Sequence, residues 1–298
     1  MKRKSWREMK NTGEVEGLGI VNDRFKTMKE KFGIWPMTVW DLNNTDPAML
    51  AMKSEISDGF AGDEGRRKLL KTGYFTLGGK ATNFESVFNP LLTLQILKMY
   101  APETGIVFDP FAGGGTRAIV TGKSGLDYVG VEIREEEVNN VRRRLENNKV
   151  ISATIINADS CSLDLSIEDN SADCTLTCPP YYNLEEYGGG DNDISMAPTY
   201  DDFMDKIDIC VKNTRRILKP DALSCWVVGI FRDKKTSELI PFHHDVAYSH
   251  TKTGFYFKEE VILRSTNQGA EKRCGMFGKG NHHLVRIHEY LLIFKNTK

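Results

Sequence analysis

The residue types that could do chemistry fall in one hexapeptide and at three strand ends. Thr177-Cys178-Pro179-Pro180-Tyr181-Tyr182 follows an apolar run that ends at Leu176. Paired prolines have fixed φ and no N–H to donate, so they stop a central strand and present the residues after it as a rigid loop. Such a loop, with flat rings beside exposed carbonyls, suits a planar substrate; taken alone it is equally an ordinary Pro-Pro turn with core tyrosines. Upstream, Gly105–Asp109 has the pattern of a short buried strand, and it runs into Pro110-Phe111-Ala112-Gly113-Gly114-Gly115-Thr116 ahead of a helix. Consecutive glycines let backbone approach a ligand closely, and Asp109 could accept hydrogen bonds from a ligand's ammonium or hydroxyl groups. Glu132 closes the strand Tyr128–Glu132, where an acid can bind a ribose diol, and Asp159 closes Ala153–Asp159. Open α/β sheets bind ligands beyond the carboxyl ends of their strands, so three acids in that position point to a cofactor site.

The intervening elements must bring these groups together. Ala172–Thr177 is a fourth strand that delivers the hexapeptide to the same edge. Phe88-Asn89-Pro90 introduces a helix over Leu91–Tyr100, with Pro90 suited to its first turn. Helices follow over Glu135–Asn148 and from Tyr200 to Leu218, where Lys219-Pro220 closes the second. Leu223–Gly229 is a fifth strand, a helix lies near Pro241–Thr253, and Phe257–Arg264 and Glu289–Phe294 are the last strands. Strands alternating with helices predict an open α/β fold. Asn183–Gly190 suggests a mobile lid.

At 298 residues, 40% hydrophobic and 27% charged, the chain has the composition of a soluble globular protein. The net charge of -1 gives no global basic signature, so nucleic-acid binding would rest on local patches. Two patches qualify: Arg66 and Arg67 in a short basic run, and Lys272, Arg273 and Lys279 on a long glycine-rich connection before the last strand. Residues 1–85 form an extension of weak periodicity with an aromatic island at 32–40, and residues 86–298 form the main domain. No apolar run approaches a membrane span, which makes cytoplasmic the default. Six cysteines without a CxxC pair give neither a disulfide framework nor a zinc pattern, and no metal is expected.

Phe108-Asp-Pro-Phe-Ala-Gly-Gly-Gly-Thr116 followed by Thr177-Cys-Pro-Pro-Tyr-Tyr182 resembles the S-adenosylmethionine-dependent DNA amino-methyltransferases, which carry a DPFxGxG-type cofactor loop and a [DNS]PP[YFW] catalytic loop. Phe88–Pro90, Gly130–Glu132, Leu218–Asp221, Val227–Gly229, Arg232–Lys235 and Glu289–Phe294 extend the likeness toward the small methylases of bacteriophages, over residues 85–298. The resemblance implies a Rossmann-like sheet of seven strands, mainly parallel with an antiparallel last strand, flanked by helices on both faces. It implies that Asp109, Phe111, Ala112, Gly113 and Gly115 surround the methionine part of S-adenosylmethionine. Glu132 would bind its ribose and Asp159 its adenine, while Phe88, Asn89 and Pro90 would close the pocket. Cys178, Pro179, Pro180 and Tyr181 would be the catalytic loop, acting on a base flipped out of double-stranded DNA by a monomer or homodimer, as in restriction-modification. Position 178 departs from the pattern, because a cysteine sulfur accepts hydrogen bonds more weakly than Asp, Asn or Ser. Serine there often accompanies cytosine and aspartate adenine, and cysteine settles neither; cytosine N4 is favoured over adenine N6. RNA or protein methylases with the same loop, and an inactive DNA-binding relative, are the alternatives. The carbon-5 cytosine mechanism is disfavoured, because Pro-Pro-Tyr after Cys178 matches the amine-directed loop.

Overall fold

The structure, a computed structural model, describes residues 37–42, 88–184, 190–264 and 282–298. By its contacts the chain divides into Met1–Met37, which lies outside the described residues except for Met37, and Thr38–Lys298. The second unit contains β1 (Val39–Asp41), α1 (Pro90–Tyr100), β2 (Ile106–Asp109), α2 (Thr116–Lys123), β3 (Asp127–Glu132), α3 (Glu135–Asn147), β4 (Ala153–Asn157) and β5 (Ala172–Thr177). After these come α4 (Tyr200–Ile217), β6 (Leu218–Val228), the short pair β7 (Phe231–Arg232) and β8 (Leu239–Ile240), α5 (Phe242–Thr253), β9 (Phe255–Arg264) and β10 (His288–Asn296).

Among the described residues eight strands form one sheet in the order β1-β9-β10-β6-β5-β2-β3-β4. β6, β5, β2, β3 and β4 run parallel, and β10 is antiparallel to both β6 and β9. Seven strands with an antiparallel last one are thus present as expected, and an eighth corrects the count. β1, from the aromatic island of the extension, pairs with β9 along the sheet edge, register Trp40 to Leu263. Burial anchors this three-residue strand: Trp40 is 3% exposed and its ring stacks on Tyr100 at 6.5 Å.

Local chemistry explains the helix starts. Asn89 caps α1, its Oδ1 accepting from the backbone N–H groups of Leu91 (2.9 Å) and Leu92 (3.3 Å), and Pro90 stands at the first turn where a missing N–H is harmless. Thr199 and Asp202 form a reciprocal capping box on α4. The buried face of α4, Phe203, Ile207, Cys210, Val211, Thr214 and Ile217, repeats at helical spacing. It packs in the core with Trp226, Phe242 and Phe294. Burying each such large side chain contributes about 1.5–3 kcal/mol. Among the described residues no helix is long and apolar enough to cross a membrane.

Because β10 is antiparallel, its first residues lie at the same sheet edge as the last residues of β6, with Tyr290 opposite Val228. The carboxyl ends of β2, β3, β4, β5 and β6 therefore share an edge with the start of β10. That edge carries the candidate site.

Candidate functional site

Asp109, at the end of β2, is fully buried, and its carboxylate accepts four hydrogen bonds from the protein itself. Oδ1 accepts from the Phe111 N–H (3.0 Å) and the Thr177 hydroxyl (2.6 Å). Oδ2 accepts from Arg117 Nε (2.5 Å) and the Tyr128 hydroxyl (2.7 Å). A carboxylate has about four lone-pair positions, so this one is saturated. The carboxylate that the sequence offers to a ligand's ammonium or hydroxyl groups here ties the glycine loop, the Pro-Pro-Tyr loop, β3 and α2 into one unit.

Arg117, 5% exposed, is the second part of that tie. Its Nη2 donates to the Phe111 carbonyl, and its guanidinium lies over the Phe88 ring at 4.7 Å from the centroid. Burial pulls the Arg117 pKa down, but Asp109, Tyr128 and Cys178 outweigh it, and the net shift is upward. Phe88 and Phe111 are thereby held beside the loop. The Phe111 ring also meets Trp226 edge-on at 6.1 Å.

The loop itself is shaped by two left-handed glycines, Gly113 (φ 51) and Gly115 (φ 77). A Cβ at Gly115 would lie 2.6 Å from Val141 Cγ1, so glycine is required there by conformation and by space. Ala112 N–H donates to the Val131 carbonyl (2.8 Å) and Gly113 N–H to Glu132 Oε2 (3.1 Å). Glu132 Oε1 accepts from both the backbone N–H and Nε of Arg134, each at 3.0 Å. Two strands away from β2, Asp159 Oδ1 accepts from Cys161 N–H (2.8 Å) and, with Ser162, Asn192 and Lys206, lines an open surface hollow whose lining does not include the glycine loop.

These features fit S-adenosylmethionine. A Cβ at Gly113 would meet nothing closer than the Phe111 carbonyl at 3.8 Å, so the loop leaves open space there. Glu132 at the loop and Asp159 beyond the end of β4 are acids suited to a cationic ligand rich in hydroxyl and amine groups. Glu132 and Asp159 would hold the group, with the loop backbone from Ala112 to Gly115. Asn89 and Pro90 organise α1 and hold Phe88 at its start.

The loop after β5 begins with Thr177, whose hydroxyl proton goes to Asp109, and continues with Cys178 half-buried, Pro179 buried and Pro180 and Tyr181 half-buried. Burial pushes the Cys178 thiol up to about 12, with Glu289 and Asp109 adding to it against Arg117. The sulfur is therefore a neutral S–H near neutral pH and no thiolate nucleophile. Tyr181 packs on Phe231 (5.6 Å, tilted) and Phe242 (5.9 Å, edge-on). Its hydroxyl makes a long hydrogen bond, 3.5 Å, to Glu289 Oε1. Tyr182 turns away into Tyr200 and Phe203.

Arg66, Arg67, Lys272, Arg273 and Lys279, and residues 185–189 of the expected lid, lie outside the described residues. Sequence reasoning passed over Arg117, Tyr128 and Glu289. For Arg117 a signal existed, since a cation in a helix's first turn opposes the macrodipole and calls for a buried partner. Glu289 is an acid opening an otherwise apolar strand, a mismatch that marks a special position.

A family model described as DNA methylase, of the N6/N4 type, matches residues 2–143. The Type II beta methyltransferase M.BslI of a Bacillus species is 27% identical over 153 residues, 48% of this chain and 16% of that protein. The Type II methyltransferase M.ScaI of Streptomyces caespitosus is 33% identical over 76 residues, 24% of this chain and 25% of that protein. The chain thus spans a quarter or less of these two relatives' lengths. Among solved structures the cyclase SpnF has a TM-score of 0.50 at 14% identity, covering 70% of this chain and 81% of that one. That likeness is one of fold, and a cyclase on the fold illustrates that the fold alone does not set the reaction. By these matches the chain is similar to DNA methylases of the N6/N4 type, over residues 2–143 for the family model and over shorter shares of the Type II methyltransferases.

Proposed function

We propose that this protein methylates the exocyclic amine of a base in DNA, with cytosine N4 favoured over adenine N6 and the base flipped into the edge between the two loops. The observation that carries the reading is the shared tie: Thr177 and Phe111, from the catalytic and cofactor loops, both donate to Asp109 Oδ1. A methyl donor held by one loop is thereby fixed against an acceptor held by the other, and fixed alignment is the larger part of such a reaction. S-adenosylmethionine, when bound, supplies an electrophilic methyl group on a sulfonium. The chain's own part is to orient the amine and to accept its protons, since the amine's lone pair is delocalised into the ring. The Pro179 carbonyl is one acceptor, and Tyr181 meets the face of the flipped base. Support for cytosine rests on position 178, where a neutral, serine-sized side chain replaces the aspartate that goes with adenine. A DNA substrate suits a cytoplasmic protein in a bacterial restriction-modification setting.

The test is nucleoside mass spectrometry of DNA from cells that express the protein. N4-methylcytosine is expected; N6-methyladenine alone would overturn the base preference. Label passing from the donor into RNA or protein and not DNA would overturn the substrate class.

Gly229, just after β6, gives a second test. A Cβ there would stand 3.0 Å from the Tyr181 hydroxyl and 3.4 Å from Cζ, so alanine must displace the ring. Gly229→Ala is expected to lower turnover by roughly tenfold to a hundredfold, the effect of moving a substrate-positioning group by a fraction of an ångström to 1 Å. Cofactor affinity should hold. Initial-rate assays beside calorimetry of the cofactor check both expectations.

A further inference from the structure

The catalytic loop presents a chemical deficit. An amine that attacks a methyl group must lose a proton, and the side chain at 178, a neutral thiol, is a poor group to take it. Asp109 is fully buried and saturated by four donors. Thr177 donates to Asp109. A carboxylate nevertheless stands at this loop, brought from the far end of the chain. β10 pairs antiparallel with β6, which sets Glu289 one residue before Tyr290 and its partner Val228, and hence beside Gly229 and the ring of Tyr181. Glu289 Oε1 accepts from the Tyr181 hydroxyl at 3.5 Å, and its charge is felt at the Cys178 thiol.

Resting on the methyltransferase reading above, we propose that Glu289 is the proton acceptor for the target amine, filling from β10 the role that Cys178 cannot fill from the loop. As the amine nitrogen bonds to the methyl carbon with its lone pair, the carbon–sulfur pair stays on the departing thioether sulfur. The proton that the nitrogen then sheds passes to the Glu289 carboxylate. Sulfonium, neutral amine and carboxylate become thioether, methylated amine and carboxylic acid, and charge balances. Burial pushes the Glu289 carboxyl above its ordinary range, against the hydrogen bond from Tyr181, which moves it toward the range where a carboxylate is an effective base. The Tyr181 hydroxyl holds the carboxylate in place before the base arrives.

The test uses the full chain with S-adenosylmethionine and DNA. Glu289→Gln keeps shape and removes the base; it is expected to lower kcat by about 100-fold, the usual contribution of one proton-transfer group. The dissociation constant for S-adenosylmethionine, measured by calorimetry, should stay within about twofold, since Glu289 is assigned to the base site. Cys178→Asp added to Glu289→Gln should restore most of the turnover by returning an acceptor to the loop, a recovery that a purely structural Glu289 would not give. Wild-type turnover in Glu289→Gln, or no rescue in the double variant, overturns the assignment. Should Glu289→Gln lose its cooperative melt, Glu289→Asp gives the same decision: lowered turnover with intact cofactor affinity supports the role, and unchanged turnover refutes it. A wild-type chain that binds the donor yet modifies no DNA overturns the functional reading itself, and that result is distinct from activity without dependence on Glu289.

Discussion

Asp109→Ala is expected to destabilise the protein by about 3–5 kcal/mol and to abolish ordered cofactor binding, because it leaves the Arg117 guanidinium buried without its counter-ion. The pair is deep: Asp109 is fully buried, Arg117 is 5% exposed, and Nε meets Oδ2 at 2.5 Å. A domain's total stability is about 5–15 kcal/mol, so the loss is a large share of it. The Thr177 and Tyr128 hydroxyls and the Phe111 N–H lose their acceptor in the same step. Urea unfolding should show a lower midpoint at unchanged slope. Arg117→Met placed in the Asp109→Ala background removes the orphaned charge and should recover much of the stability. It should not recover cofactor affinity, because Thr177 and Phe111 still lack their common acceptor. A variant that keeps wild-type stability while losing the cofactor would instead mean that Asp109 contacts the ligand directly.

The same residue marks where reading from sequence stopped. Strand ends, helix starts and the gathering of Asp109, Glu132, Asp159 and the Pro-Pro-Tyr loop at one edge were legible, because they follow from periodicity, breakers and the rule that parallel sheets bind ligands at carboxyl ends. The direction in which each carboxylate turns was not. β2 is a central strand with neighbours on both sides, and Val107, Phe108 and Asp109 are all buried. An acid ending such a strand is drawn to internal donors, and those donors come from α2, β3 and β5, far apart in sequence. Glu132, on the neighbouring strand, keeps 8% exposure and meets the loop backbone. β1 escaped for another reason. Three residues show no period, and only pairing with β9 and the burial of Trp40 make them a strand. Glu289 belongs to one of the stretches that carry the resemblance, but its nearness to Tyr181 depends on β10 running antiparallel beside β6.

The second large effect is one of pH on stability, and it comes from His250 in the core. Its Nδ1 faces the Val246 carbonyl at 2.8 Å and so carries the proton, while the buried Nε2 has no hydrogen-bond partner. The ring is stacked on Phe294 at 3.9 Å and meets Trp226 edge-on at 4.8 Å. Burial holds its pKa down at about 3, against small opposing effects of the Val246 carbonyl and Asp208, while the unfolded chain titrates at the usual 6.5. Above pH 6.5 the ring is neutral in both states and contributes no pH dependence. Between 6.5 and 3 the unfolded chain binds a proton that the folded one refuses, so stability falls as pH falls, by about 1.4 kcal/mol per unit over most of that window. His243 adds to the slope, its pKa lowered to about 4 by burial and by His244, His288 and Arg286. Urea unfolding at pH 7.5, 6 and 5 should show this decline. His250→Phe keeps the stacking and loses one hydrogen bond, a cost of about 1 kcal/mol at pH 7.5. Below pH 6.5 the variant should lose stability less steeply than the wild type and overtake it at about pH 5.8. Parallel curves for the two proteins would show that His250 titrates normally in the folded state and that the acid sensitivity has another origin.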